Sequence, residues 1–334
     1  MPGAIHTKSP GAGAAGVVLG LWLALGLGLG CQSPQKREEA IYGPTESVIE
    51  VIAVLRRHVP DDTYRFPPAT DFTDRNVYRS TLLRLENLEK MHADTLRAGH
   101  MDAAIGFAKA RSLERLRAYD LAAEHYRAAA EKSPRLRKEA LTSAATVEAI
   151  DRANRVGIDL PDPFAPGAAN QTLPTDPEAV VAGLDERIAL LSKIVESNAD
   201  NHYAHVAREE IERSDVTRAR YFKALRHVFV NGSVRTVSEL QRVASRHAAS
   251  KGKRQHLLDA ADFFALMAQE YVQANPPESL RFDPVVFEEL VEAASQIYQT
   301  VASEDGTPEK LQAARRFEAF LAFTLKVDRD RFTQ

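Results

Sequence analysis

The chain has 334 residues, of which 44% are apolar and 27% are charged, and its formal net charge at pH 7 is −3. A chain of this length and composition can bury the core of one or two folded domains. The small negative charge provides no basic surface for nucleic acid, so no nucleic-acid partner is expected.

The first 30 residues have the order of a secretory signal. A short polar stretch with Lys8 precedes an uncharged apolar stretch at about residues 12–30, and the only cysteine, Cys31, follows it. This order is typical of a segment that directs export and is then removed. Two alternatives are open: the apolar stretch is long enough to remain as a membrane anchor, and an ordinary signal peptidase would release a soluble protein.

The residues Leu27-Gly28-Leu29-Gly30-Cys31 resemble the lipobox of bacterial lipoproteins. In that family, a small residue precedes a cysteine that is diacylated before the signal peptide is cut. Gly28 departs from the pattern, because leucine usually stands three places before the cysteine. A lone cysteine cannot form an internal disulfide, which agrees with lipid attachment at Cys31.

The lipoprotein resemblance implies how the N-terminal part is organised. It implies a signal peptide at 1–30 and, after the lipidated Cys31, a flexible tether at 31–43 with a reach of roughly 20 Å. Gln32 follows the cysteine where an aspartate would favour the inner membrane. The implied location is therefore the cell envelope, lipid-anchored at the outer membrane and facing the periplasm.

From residue 44 onward, the apolar residues have helical spacing. Val48, Ile52, Leu55 and Val59 recur at three- and four-residue steps, the period of a helix with one buried face. Later segments open with a capping residue and a proline, which is a common helix start. These pairs are Ser133-Pro134, Asp176-Pro177, Asp283-Pro284 and Thr307-Pro308.

One short stretch departs from the helical pattern. Asn231-Gly232 lies between β-branched residues, which suits either a tight hairpin or a helix that ends in an Asn-Gly cap. Both flanks of this stretch have helical spacing, so the cap is favoured. The sequence therefore predicts an all-α fold of antiparallel helix pairs.

One window has the spacing of a tetratricopeptide repeat. Tyr119, Ala122, Tyr126, Ala129 and Pro134 fall where the second helix of such a repeat and its closing proline have their signature residues. The window resembles that family, in which helical hairpins stack because one hairpin cannot bury its apolar face alone. Gly106 and Leu113 depart from the pattern, which often has tryptophan and tyrosine there. A generic helical bundle is the alternative to a solenoid of repeats.

A segment rich in proline and glycine separates two groups of predicted helices. Residues 156–175 form an unusually long connection for a compact domain. The predicted organisation is a tetratricopeptide-like helical domain at 44–155, a linker at 156–175 and a second helical region at 176–334. An ordered loop that fills a groove is the alternative for the linker.

The repeat resemblance also implies a partner-binding site. In such arrays the first helix of each repeat lines a concave groove, and Ala103 is the start of the repeat here. An aromatic side chain among cationic ones is enriched at protein interfaces and suits an acidic or C-terminal peptide. An ordinary charged helix surface is the alternative. The residues placed in the groove are Phe107, Arg111, Arg115, Lys138 and Leu141.

The sequence contains no motif that predicts catalysis, a metal or a cofactor. There is no glycine-rich phosphate loop and no Gly-x-Ser-x-Gly elbow. His202, His205 and Glu209 have the spacing of metal ligands on one helix face, but no Cys/His cluster accompanies them. A basic cluster that includes Lys251 and Arg254 suits either lipid headgroups or a solvated turn.

These features predict a non-catalytic, membrane-tethered scaffold of the bacterial cell envelope that binds an envelope protein or peptide. Its plan is similar to that of tetratricopeptide lipoproteins that serve β-barrel assembly, secretin piloting or transporter complexes. The main alternative is a periplasmic helical protein that binds a solute or peptidoglycan. A cryptic hydrolase is a third, because carboxylate pairs on helices leave little trace in one sequence.

Overall fold

The computed structural model describes residues 43–58, 77–160 and 172–332. Every regular element in these ranges is an α-helix, which confirms the predicted fold class. None of the described helices is long and apolar enough to span a membrane. Cys31, the predicted signal peptide and the predicted tether up to residue 42 lie outside the described residues.

Eleven helices make up the described ranges, and they are labelled here in chain order. They are α1 (Pro44–His58), α2 (Val77–Ala98), α3 (Asp102–Arg115), α4 (Tyr119–Lys132), α5 (Arg137–Asn154), α6 (Pro177–Ser197), α7 (His202–Ala224), α8 (Gly232–Arg246), α9 (Lys253–Ala274), α10 (Pro284–Ala302) and α11 (Pro308–Phe332).

Local capping sets two of the predicted helix starts. The Asp176 side chain accepts hydrogen bonds from the amides of Glu178 and Ala179 at the start of α6. Asp283 accepts from the amide of Val285 at the start of α10. In both helices a proline occupies the first turn, where its missing N–H costs nothing. The predicted start at Ser133-Pro134 is early, because α5 begins at Arg137 after a turn.

Consecutive helices pack against each other from α1 to α11, next-but-one helices such as α5 and α7 share fewer contacts, and side chains of α3 also contact α7. Short turns join most of these neighbours and reverse the chain direction, as in helical hairpins. Because neighbouring helices pack pairwise, the packing is that of a helical solenoid or bundle.

The window with repeat spacing forms a closely packed helix pair. Ala110 on α3 and Ala122, Tyr126 and Ala129 on α4 are fully buried. A Cβ atom added to Gly106 would lie 3.7 Å from the Cβ of Ala129, so small residues allow the two helices to approach closely. The alanines at these positions therefore allow the two helices to pack closely, while membership of the tetratricopeptide family stays a prediction.

The helices before and after residues 161–171 share one apolar core. Val147 and Ile150 of α5 lie in the same cluster as Leu191 of α6 and Val206 of α7. Arg187 of α6 also donates hydrogen bonds to the carbonyl oxygens of residues 156 and 158. The described start of the predicted linker is therefore bound to α6, and the boundary at 156–175 stays a prediction.

Candidate functional site

The five predicted partner-binding residues occupy two different environments. Phe107, Arg111 and Arg115 lie on α3 and are at least half-buried, whereas Lys138 and Leu141 lie exposed on α5. Arg111 Nη2 lies 3.7 Å from a carboxylate oxygen of Glu139, next to Lys138 in the chain. The structure therefore brings the α3 residues close to the start of α5, and their role in partner binding stays a prediction.

The two arginines of α3 bind side chains of α7. Arg115 donates two hydrogen bonds of 3.1 Å to the carboxylate of Glu209. Arg111 donates to the hydroxyl of Tyr203 at 3.0 Å and contacts the imidazole of His202. Their side chains are only 15% (Arg111) and 8% (Arg115) exposed. In this structure, side chains of the chain's own α7 thus bind the two arginines that the sequence predicts to bind a peptide.

Phe107 completes the surroundings of Arg111. Its ring packs edge-on against Tyr126 at 5.1 Å, and the Arg111 guanidinium lies 5.2 Å from the ring centroid of Phe107. The same guanidinium lies within 6 Å of the rings of Tyr126 and Tyr203. Cation–π contacts of this kind stabilise a desolvated guanidinium. Phe107 and Arg111 therefore hold α3, α4 and α7 together.

Glu114 is the centre of this first polar cluster and is completely buried. Its carboxylate accepts a hydrogen bond of 2.8 Å from the hydroxyl of Tyr126. It also lies 2.8 Å from His202 Nε2 and 3.3 Å from Arg111 Nη1. Burial alone would raise the pKa of Glu114, but the charge of Arg111 and the His202 hydrogen bond outweigh it and lower the pKa to about 2.

A second polar cluster surrounds Glu210 of α7. Arg117, in the turn between α3 and α4, donates two hydrogen bonds of 2.9 Å to its carboxylate. Tyr119 donates a third of 2.8 Å, and Arg213 forms an additional ion pair. Burial opposes ionisation of Glu210, but the charges of Arg213 and Arg117 outweigh it and lower its pKa. This cluster also joins α7 to the α3–α4 pair.

The predicted basic cluster is neutralised by acids of the same chain. Asp215 of α7 is completely buried and accepts from Arg242 at 2.7 Å, and it lies 2.8 Å from His247 Nε2. Lys253 and Arg254 both pair with Glu304. These contacts connect α7, α8 and α9 and the turn before α11, so much of the cluster's charge serves the fold.

The residues that have the spacing of metal ligands do not converge on one point in the structure. His202 lies against Glu114, and Glu209 binds Arg115. Across the described ranges, no group of three or more histidine, cysteine, aspartate or glutamate side chains has an arrangement that could hold a metal ion. His202 and Glu209 therefore act in the α3–α7 contact.

Models of known protein families give no match to the chain, and no curated protein matches its sequence. Ionisable groups with shifted pKa values often mark active sites. In the first cluster, however, Glu114 already accepts from its neighbours, and burial raises the pKa values of Tyr126 and Tyr203. The carboxylate is buried among its partners and the tyrosines hold their protons tightly, so the cluster is suited to holding helices together.

The lowered pKa of Glu114 predicts a loss of stability in acid. A carboxyl group whose pKa is lower in the folded chain stabilises it above the ordinary pKa, and this contribution disappears as pH falls through the folded value. For Glu114 the window runs from about 4.5 down to about 2. Once Glu114 is fully protonated, the free energy of unfolding is lower by about 3 kcal/mol. Chemical unfolding as a function of pH measures it.

The matched comparison is Glu114→Gln against Glu131→Gln, which alters an exposed glutamate on α4. Glu114→Gln should flatten the pH dependence of the unfolding free energy within this window, whereas Glu131→Gln should leave the dependence of the parent chain unchanged. Equal pH dependence in all three proteins would show that Glu114 does not ionise with a lowered pKa.

Three buried acids that organise these clusters, Glu114, Glu210 and Asp215, were not predicted from the sequence. Their one local signal is position: Glu114 lies four residues after Ala110, and Glu210 three residues after Ala207, on faces that the helices bury. An acid on a buried face predicts a buried partner. The sequence alone does not identify that partner, because Arg117 and Glu210 are far apart in the chain.

Proposed function

We propose that this chain is a membrane-tethered, non-catalytic scaffold of the bacterial cell envelope that binds an envelope protein or peptide. Cys31 carries the lipid, the residues after it form the tether, and the helical array presents the binding surface. In this proposal the lipidated chain is anchored at the outer membrane and faces the periplasm.

The observation that supports a scaffold is the use of the ionisable groups at α3, α4 and α7. The carboxylates of Glu114 and Glu210 are each satisfied by cations and tyrosine hydroxyls of the same chain. Such clusters stabilise one arrangement of helices, and breaking one of them leaves a buried charge unpaired. A rigid helical array of this kind suits a protein whose role is to present a surface.

The partner-contact surface in this proposal is the exposed part of the predicted site. Lys138 and Leu141 lie one turn apart on α5, and Leu141 is 49% exposed. Arg111 and Arg115 take the role of positioning residues, since both bind α7 and Arg111 also pairs with Glu139 at the start of α5. A leucine beside a lysine suits an acidic segment with an apolar anchor residue.

A paired charge substitution tests this surface in the full-length chain. Lys138→Glu with Leu141→Glu reverses the charge and removes the apolar contact, without touching the buried clusters. The matched control is Lys132→Glu with Leu121→Glu on α4, because both residues there are also exposed. The measurement is the amount of envelope protein cross-linked to each variant in cells.

We expect the amount of envelope protein cross-linked to the α5 variant to fall at least about tenfold, as it does when a binding hot spot is removed. The α4 variant should retain it, and circular dichroism should show the same helix content in both. Equal recovery by the two variants would contradict a partner surface at Lys138 and Leu141. Failure of the parent chain to cross-link to any envelope protein would contradict the scaffold role.

A further inference from the structure

The outer face of α11 exposes a row of apolar side chains. Leu311 and Leu325 are 57% and 68% exposed, and Leu321 is 39% exposed. Exposed Ala314 and Ala322 lie on the same side of the helix, because Ala314 is three residues after Leu311 and seven before Leu321, and Ala322 is three residues before Leu325. No described helix covers this face. In repeat arrays, the outer face of a terminal helix is ordinarily polar.

The opposite side of α11 shows that this row is separate from the core. Ala313, Phe320 and Val327 of α11 are buried, and they share a cluster with Phe287 and Tyr298 of α10. Helix α11 therefore has two apolar faces, one packed on α10 and one exposed to solvent. Three leucines on the second face are more than scattered surface residues, and such patches mark interaction sites.

The charges of the two helices differ in sign. Helix α10 has three glutamates, Glu288, Glu289 and Glu292, and no basic residue. All three side chains are exposed, and none forms an ion pair within the described part of the chain. Helix α11 has six basic and four acidic residues. Its Arg315 and Lys326 are exposed on the outer side and likewise have no ion pair with a described residue.

We infer that the α10–α11 hairpin is a dimer interface that binds a second copy of this chain. In a two-fold dimer the same surface meets itself, so one hairpin must supply both halves of each contact. This hairpin does: the leucines of α11 cover those of the second copy, and acidic α10 lies against the basic side chains of the partner's α11. The charges thus favour a second copy over a partner of one sign.

The interface combines a row of apolar side chains with charges at its edge, as protein–protein interfaces usually do. Leu321 and Leu325 lie one helical turn apart at the C-terminal end of the apolar row. Glu318, between Ala314 and Leu321, is the one exposed acid within the row. The charges at its edge fix the orientation of the two hairpins, because like charges placed opposite each other are unfavourable.

Sedimentation velocity of the full chain in detergent micelles tests the dimer over a wide concentration range. The parent chain should sediment as a dimer. Leu321→Glu with Leu325→Glu should raise the dimer dissociation constant by at least about tenfold. Leu121→Glu, which alters an exposed leucine on α4, should leave it unchanged. Circular dichroism of each variant reports whether the fold is intact.

A charge-reversal experiment separates this interface from a general effect on folding. One chain carries Glu288→Lys and Glu289→Lys, and a second chain carries Arg315→Glu and Lys326→Glu. Each alone should dimerise at least about tenfold more weakly than the parent. Mixed together, they should form a heterodimer, because each hairpin then meets the opposite charge.

Several results would overturn the dimer. A parent chain that is monomeric at every concentration would do so, as would leucine variants that dimerise as tightly as the parent. A mixture of the two charge-reversed chains that stays monomeric while both remain folded would also do so. The same holds if a photo-cross-linking residue placed at position 325 captures a different envelope protein and not a second copy.

Discussion

Replacing Arg111 with methionine is expected to lower the free energy of unfolding by about 3–5 kcal/mol, the usual cost of removing one partner of a buried ion pair. Arg111 is the cation beside Glu114, which is completely buried. Methionine keeps much of the apolar side chain but leaves the carboxylate with only His202 and the Tyr126 hydroxyl. Urea unfolding followed by circular dichroism measures the change.

The matched control is Arg84→Met, because Arg84 pairs with Glu50 on the surface. Both of these side chains are about half exposed, 49% and 56%, and exposed ion pairs contribute about 0–1 kcal/mol. The double variant Arg111→Met, Glu114→Leu should recover a large part of the loss, since it removes the unpaired charge. Equal losses for Arg111→Met and Arg84→Met would contradict the role given to Arg111.

The sequence predicted the helical elements well where short-range chemistry determines them. Asp176 and Asp283 cap their helices as expected, because the capping aspartate and the amides that it binds are two or three residues apart. The alanines of the α3–α4 pair are buried as expected, because their spacing follows the period of a helix. Such features need no knowledge of distant parts of the chain.

The turn at Asn231 shows a limit of local patterns. Its backbone is left-handed, with φ of 55°, as the Asn-Gly pair suggested, but α7 ends earlier, at Ala224, and Asn231 directly precedes α8. Phe229 packs against Tyr221 and Phe222, which favours the longer turn. A Cβ atom on Gly232 would lie 2.0 Å from the carbonyl oxygen of Arg226, so glycine is required there.

The environment of the candidate site depended on contacts that the sequence does not show. The repeat resemblance placed Arg111 and Arg115 in an open groove, whereas both bind residues of α7 that are about 90 positions later in the chain. Nothing local to Arg115 indicates that Glu209 will meet it. Lys138 and Leu141 were easier to place, because exposure on a helix follows from the position of its buried face.

Lipid attachment at Cys31 tests membrane tethering most directly. Metabolic labelling with palmitate should mark the parent chain in the membrane fraction. Cys31→Ala should abolish the label completely, because no other cysteine is present, whereas Gln32→Ala, which keeps the thiol, should retain it. A parent chain without label would contradict the proposed lipid anchor. A label that persists in Cys31→Ala would do the same. The anchor would also be contradicted if the parent chain and Cys31→Ala both kept the uncleaved N-terminal segment and both stayed in the membrane fraction.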